Sequence, residues 1–212
     1  MKRITSSLAT GSALVLALLG VSCGAEPVES EDIDTQASAL ITRTAVMRDA
    51  FGRQVGTVTF AETAQGRVRI SANFNFSASP TQVREGFHGF HIHANNNPAN
   101  GTGCIADPNQ PAATHFVSVD GHYNGGTHNA HAGDMPSPFF LNDGIAVMSF
   151  ERRLDINDIA NRGVILHVGI DNFNNIPLGP NPDQYTANSQ AAIDLTAATG
   201  NAGARQACGI IQ

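Results

Sequence analysis

An all-β fold, an antiparallel sandwich or barrel, is predicted for residues 41–212 by three observations. Val68, Ile70, Ala72, Phe74 and Phe76 alternate with Arg67, Arg69, Ser71, Asn73 and Asn75, as in a strand with one wet face. Shorter apolar runs recur between clusters of Gly, Asn, Asp and Pro, which are turn residues. No stretch of 41–212 keeps a helical period. The strand candidates are, in order, 55–61, the alternating segment 67–76, 87–93, 145–151, 164–170 and 207–211. Many short strands joined by long loops favour a two-layer or closed sheet. No internal repeat is visible.

The chain before this domain reads as an export segment. Lys2 and Arg3 precede the apolar run 13–19, which ends near Cys23, the layout of a signal peptide too short to span a bilayer. Leu19-Gly20-Val21-Ser22-Cys23 resembles a lipobox, with its leucine one place further from the cysteine than usual. Lipidation at Cys23 would anchor the mature chain to a membrane surface. Residues 24–40 follow as an acidic, disordered tether carrying Glu26, Glu29, Glu31, Asp32 and Asp34. With residues 1–23 removed, 10 Arg face 18 Asp and Glu, a balance of −8 of which five negatives lie in the tether. The domain thus offers no basic patch for nucleic acid and no long amphipathic helix for a membrane.

The histidines carry the chemistry. His91 and His93 are two apart in Phe90-His91-Ile92-His93, so on a strand both imidazoles share one face, a pair suited to copper or zinc. His122, His128, His131 and Asp134 fall within thirteen residues rich in Gly and Asn, a loop able to wrap a closed zinc site. His167 follows on a later strand candidate. His88 has the opposite strand parity from His91 and His93, which points to a structural hydrogen bond.

Taken together, these segments resemble the copper/zinc superoxide dismutases. Gly86-Phe87-His88-Gly89-Phe90-His91-Ile92-His93 is similar to the family's first copper strand, Gly121-His122-Tyr123-Asn124 to its bridging-histidine segment, and His131-Ala132-Gly133-Asp134 to the end of its zinc loop. Val164-Ile165-Leu166-His167, with Asp171 four residues on, and the run from Gly200 to Gly209 resemble the last copper strand and the C-terminal signature. The resemblance runs from about residue 44 to the end and is specific because six segments occur in order. His115, also followed by an aromatic, fits the bridging role less well than His122.

The resemblance implies an immunoglobulin-like Greek-key β-sandwich or barrel with long metal-binding and active-site loops. It implies copper on His91, His93, His122 and His167, and zinc on His122, His128, His131 and Asp134. His122 would bridge the two ions, with the zinc loop turning tightly at Gly125-Gly126. Asp171 would accept ring N–H groups from His91 and His128, fixing their orientation. Arg205 would attract and orient superoxide, Thr199 would form the opposite channel wall, and His122 would supply a proton. Ala198 stands where many relatives carry lysine, and Lys2 is the chain's sole lysine, so long-range steering is not implied. Cys104 and Cys208, the pair left after Cys23, would form the family's disulfide, as expected of an exported chain. The stretch from Cys104 to His122 is longer than the common pattern and reads as an insertion over that disulfide. The long loop 172–198 resembles that of bacterial relatives.

The function implied is superoxide dismutation by a redox-cycling copper beside a structural zinc. The alternative is a non-enzymatic copper or zinc binding or delivery protein on the same fold. The partners expected are superoxide, no nucleic acid, and a membrane only through a lipid anchor at Cys23. Localisation is expected in the periplasm or on the cell-envelope surface. No motif fixes oligomeric state, so a homodimer is left open.

Overall fold

The computed structural model describes residues 39–124, 130–173 and 190–212, the side chain of Ala192 excepted. The signal segment 1–23 with Cys23, all but the last two residues of the tether 24–40, Gly125, Gly126, His128 and residues 174–189 of the long loop lie outside the described residues. Among the described residues the chain forms strands β1 (Thr42–Asp49), β2 (Gln54–Glu62), β3 (Val68–Asn75), β4 (Gly86–Phe87), β5 (Phe90–His93), β6 (Phe139–Phe140), β7 (Ile145–Arg152), β8 (Gly163–His167) and β9 (Arg205–Ile210), with helix α1 (Gln190–Thr199) before the last strand.

Seven strands hydrogen-bond in the order β5-β8-β9-β1-β2-β3-β7, and β4 pairs with β6. Every ladder is antiparallel. Neighbours that are distant in sequence, β3 with β7, β5 with β8 and β9 with β1, mark the crossovers of a Greek-key arrangement. The all-β expectation therefore holds. The inward face of β3 is Val68, Ile70, Ala72 and Phe74, each at most 2% exposed, the residues whose alternation predicted the strand.

Phe90 and Ile92 of β5 enter this same core, where the Phe90 ring meets Phe74 edge-on at 5.7 Å. Phe74→Ala would cost about 3–5 kcal/mol. Strand parity then turns His91 and His93 to the other face, and both remain fully buried. A smaller cluster of Ala50, Phe116, Val119, Ile165 and Cys208 surrounds the Cys104–Cys208 disulfide. That bond closes a separation of 104 residues, which restricts the unfolded chain by about 4–5 kcal/mol on the loop-entropy model.

Three elements depart from the expectation. β1 is a strand, although its inward residues Ala45, Met47 and Asp49 include a buried carboxylate while Val46 points out at 40% exposed, which inverts the usual pattern. Asp49 tolerates burial because Ser79 and the backbone N–H groups of Phe51 and Arg53 donate to it. β6 is two residues long, below the length at which alternation can be read. Helix α1 occupies the end of the 172–198 stretch and extends to Thr199. Its Ala, Leu and Gln residues favour helix locally, but its apolar side chains form no single stripe and Leu195 is 52% exposed.

Candidate metal centre

The site is assembled along one edge of β5. On one side β8 pairs with it, setting His91 opposite Ile165, and His167 closes β8 opposite Arg205 of β9. On the other side the loop 121–135 runs back along the strand: Ala94 N–H donates to Gly121 O at 2.9 Å, Tyr123 N–H to Ile92 O at 2.8 Å, and Ile92 N–H to Gly133 O at 2.8 Å. His122 thereby lies across from His93, and Asp134 across from His91. Residue 133 must be glycine for this approach, since a Cβ there would sit 2.2 Å from Ile92 O.

Two groups of ligand-type atoms result among the described residues. His91, His93, His122 and His167 form one, and His122, His131 and Asp134 the other, with the atoms of each group within 4.8 Å of one another. His122 belongs to both. Backbone carbonyls and one carboxylate decide which nitrogen each ring offers, because those oxygens can only accept. His93 Nδ1–H donates to Asp120 O at 2.8 Å and His167 Nδ1–H to Gly203 O at 2.9 Å. Their Nε2 lone pairs are buried with no hydrogen-bond partner among the described residues, an arrangement that fits metal ligands better than a packed core. His91 is the mirror case: Nε2–H donates to Asp171 Oδ2 at 2.6 Å with both side chains fully buried, so Nδ1 is the ligand-type atom.

In the second group His122 Nδ1 lies 2.8 Å from Asp134 Oδ1 and 3.1 Å from His131 Nδ1, which is 3.2 Å from the same carboxylate oxygen. Donors on a tetrahedral zinc would stand roughly 3.3 Å apart, given bonds of ~2.0 Å. The three atoms thus already hold near-zinc spacing. His128 lies outside the described residues. Arg152, at the end of β7, donates to the Asp134 carbonyl and ties the loop's end to the sheet.

Electrostatics favours neutral, ligand-ready rings. Burial lowers His93 and His167 well below the ordinary histidine value, and Arg205 and neighbouring imidazoles add to the effect. Burial likewise lowers His122 to about 4, against the pull of Asp134. Burial also brings Arg205 down to about 10, with Asp120 opposing, so its guanidinium stays cationic at neutral pH. That guanidinium donates to the carbonyls of Phe116 and Asp120. Thr199 ends α1 with its hydroxyl donating to Leu195 O at 3.3 Å.

The remaining histidines are structural. His88 lies between His167 O at 2.9 Å and Arg84 O at 3.0 Å, the structural role expected of it, although the 87–93 segment breaks between β4 and β5 and leaves His88 outside either strand. His115 Nε2 meets the carbonyls of Asp107 and Gln110 at 3.0 and 3.1 Å, pinning the stretch after Cys104 while His122 takes the shared position. Sequence reasoning missed the carbonyls of Asp120, Gly203 and Phe116, because a backbone oxygen leaves no side-chain signature. The one available signal is Asn95-Asn96-Asn97-Pro98, one residue past the end of β5, a run of local hydrogen-bonding turn residues.

Comparison with known proteins agrees with this geometry. A family model described as copper/zinc superoxide dismutase matches residues 54–211. The copper-zinc superoxide dismutase of Mycobacterium tuberculosis is 31% identical over 183 residues, covering 80% of this chain and 65% of its own length. The chain therefore spans about two thirds of that relative. The copper-zinc superoxide dismutase 2 of Salmonella typhimurium is 28% identical over 216 residues, covering all of both chains. Among solved structures, a SOD-like protein from Bacillus subtilis superposes with TM-score 0.51 at 20% identity, covering 80% of this chain and 97% of the other, and the clock protein EA4 with 0.54 at 21%, covering 80% and 92%. These two bear on the fold alone.

Proposed function

This chain belongs to the copper/zinc superoxide dismutase family, and we propose on that premise that it converts superoxide into dioxygen and hydrogen peroxide. The observation that carries the reading is the two-sided placement of His122, with Nδ1 toward His131 and Asp134 and the ring shared with the four-imidazole group. In this reading His91, His93, His122 and His167 would hold copper, and His122, His128, His131 and Asp134 would hold zinc. Four neutral imidazoles suit copper in both oxidation states, and imidazoles with one carboxylate suit zinc. Bound copper supplies the electron exchange, which zinc cannot do for lack of an accessible redox change.

The chain's own groups do the rest. Arg205, cationic and half-buried beside the imidazole group, draws in and orients the small anion, with Thr199 as the facing wall. One superoxide leaves as dioxygen after giving up an electron. A second gains that electron and two protons and leaves as hydrogen peroxide. His122 takes up one proton at Nε2 and hands it to the reduced substrate, the second coming from solvent water, while Asp134 and His131 keep the ring oriented through Nδ1. Asp171 holds the His91 ring from behind.

Export is part of the proposal, supported by the Cys104–Cys208 disulfide and by the signal-like start. A lipid anchor at Cys23 and a homodimer are carried with it. The test is metal analysis of the purified protein with a superoxide-consumption assay. Near one copper and one zinc per chain, with activity, is the expected result. Fully copper-loaded protein that fails to consume superoxide overturns the enzyme reading in favour of a carrier.

A further inference from the structure

We infer that Asp120 is a positioning residue of this site, whose caged carboxylate fixes the one main-chain carbonyl that holds both His93 and Arg205. The inference rests on the functional reading above. Asp120 O accepts from His93 Nδ1–H at 2.8 Å and from the Arg205 guanidinium. A carbonyl has two lone pairs, and here they join an inward-facing imidazole to the anion-attracting cation. A shift of this oxygen turns both side chains together.

The backbone that aims this carbonyl is not one that aspartate adopts freely. Asp120 has φ 64° and ψ −157°, a region left almost entirely to glycine. Its side chain supplies the compensation. Oδ2 accepts from the backbone N–H groups of Asn96 and Asn97 at 2.7 and 2.8 Å, and Oδ1 from Asn100 Nδ2 at 2.7 Å. All three partners are donors, so the cage secures an anion and is no cation site. Asn97 in turn accepts from Ala99 N–H and caps the turn Pro98–Asn100, which fixes the donors. The cage starts three residues beyond His93, the last residue of β5.

The other carbonyl under Arg205 is held by a different device. Phe116, also at positive φ, 57°, has its ring 2% exposed within the disulfide cluster. The turn Val117–Val119 links the two. One end is thus held by apolar packing and the other by the Asp120 carboxylate.

The experiment uses the copper- and zinc-loaded full chain, read by azide titration of the copper absorption band and by copper electron paramagnetic resonance, beside dismutation. Asp120→Ala and Asp120→Gly should weaken azide binding by roughly tenfold, the loss of about one net hydrogen bond, and should shift the copper hyperfine splitting. The glycine variant removes the backbone strain, so it reports on the carboxylate even if the alanine variant fails to fold. Asp120→Asn should stay within about twofold, because an amide oxygen can still accept from Asn96 and Asn97. Asn100→Ala should fall between. Wild-type azide affinity and spectrum in Asp120→Gly overturns the inference, as does an Asp120→Asn defect equal to that of Asp120→Ala, which would assign the effect to charge. Wild-type protein that binds copper and azide without dismutating superoxide sinks the functional reading and leaves this inference standing.

Discussion

His91, His93 and His167 sit on strands β5 and β8, whereas His122, His131 and Asp134 are carried by a loop laid along the edge of β5. The strand residues have their orientation set before any ion arrives: a carboxylate or carbonyl behind each ring fixes one nitrogen, and the sheet fixes the backbone. The loop residues face one another at hydrogen-bond distances, with Asp134 mediating. The difference teaches where the folding energy goes. The strand imidazoles are a product of the β core, while the carboxylate-bearing group rests on hydrogen bonds within one loop and on the tie from Arg152.

This contrast can be broken at either end. The largest effect is expected from His93→Ala, which removes an inward Nε2 from the strand group and should abolish copper uptake and dismutation while leaving the far-ultraviolet circular dichroism unchanged. His131→Ala should act on the loop group instead. Metal analysis should show zinc lost first, with a lowered thermal midpoint of the metal-loaded protein and a large share of copper retained. Equal loss of both ions from His131→Ala would show that the strand group is not preformed.

Asp171→Asn should be smaller, reducing copper affinity by about 10–100-fold in chelator competition, as removal of a carboxylate behind a ligand histidine does. The smallest effect concerns protons. His93, His122 and His167 have folded values below the ordinary 6.5, His122 at about 4. The unfolded chain therefore binds more protons between those values, and stability rises with pH across that window. Metal-free protein should be fully stabilised above pH 6.5 and should lose melting temperature steadily as the pH falls toward 4. Loading the metals should flatten the upper part of that curve.

Legibility in the sequence followed the physics of each part. β3 could be read because its core face is apolar at every second position, and β5 because two histidines share one parity. β1 could not, since a satisfied buried carboxylate stands where a pattern reader needs an apolar residue. α1 could not, since its alanines mark no face. The ligand-type residues were legible as an ordered set whose members His91, His93, His122, His167, His131 and Asp134 come together. The tautomers were not. They depend on carbonyls of Asp120 and Gly203 that only a folded backbone brings into place.

The cross-link between Cys104 and Cys208 has a consequence beyond chain stability. Cys104 opens the segment whose Phe116 and Asp120 carbonyls receive Arg205, and Cys208 lies three residues after that arginine on β9. Both halves of the anion cradle are thus stitched together by one thiol oxidation. Reduction of this bond is expected to loosen the Phe116 side of the Arg205 contact first, since the Asp120 side keeps its own carboxylate cage.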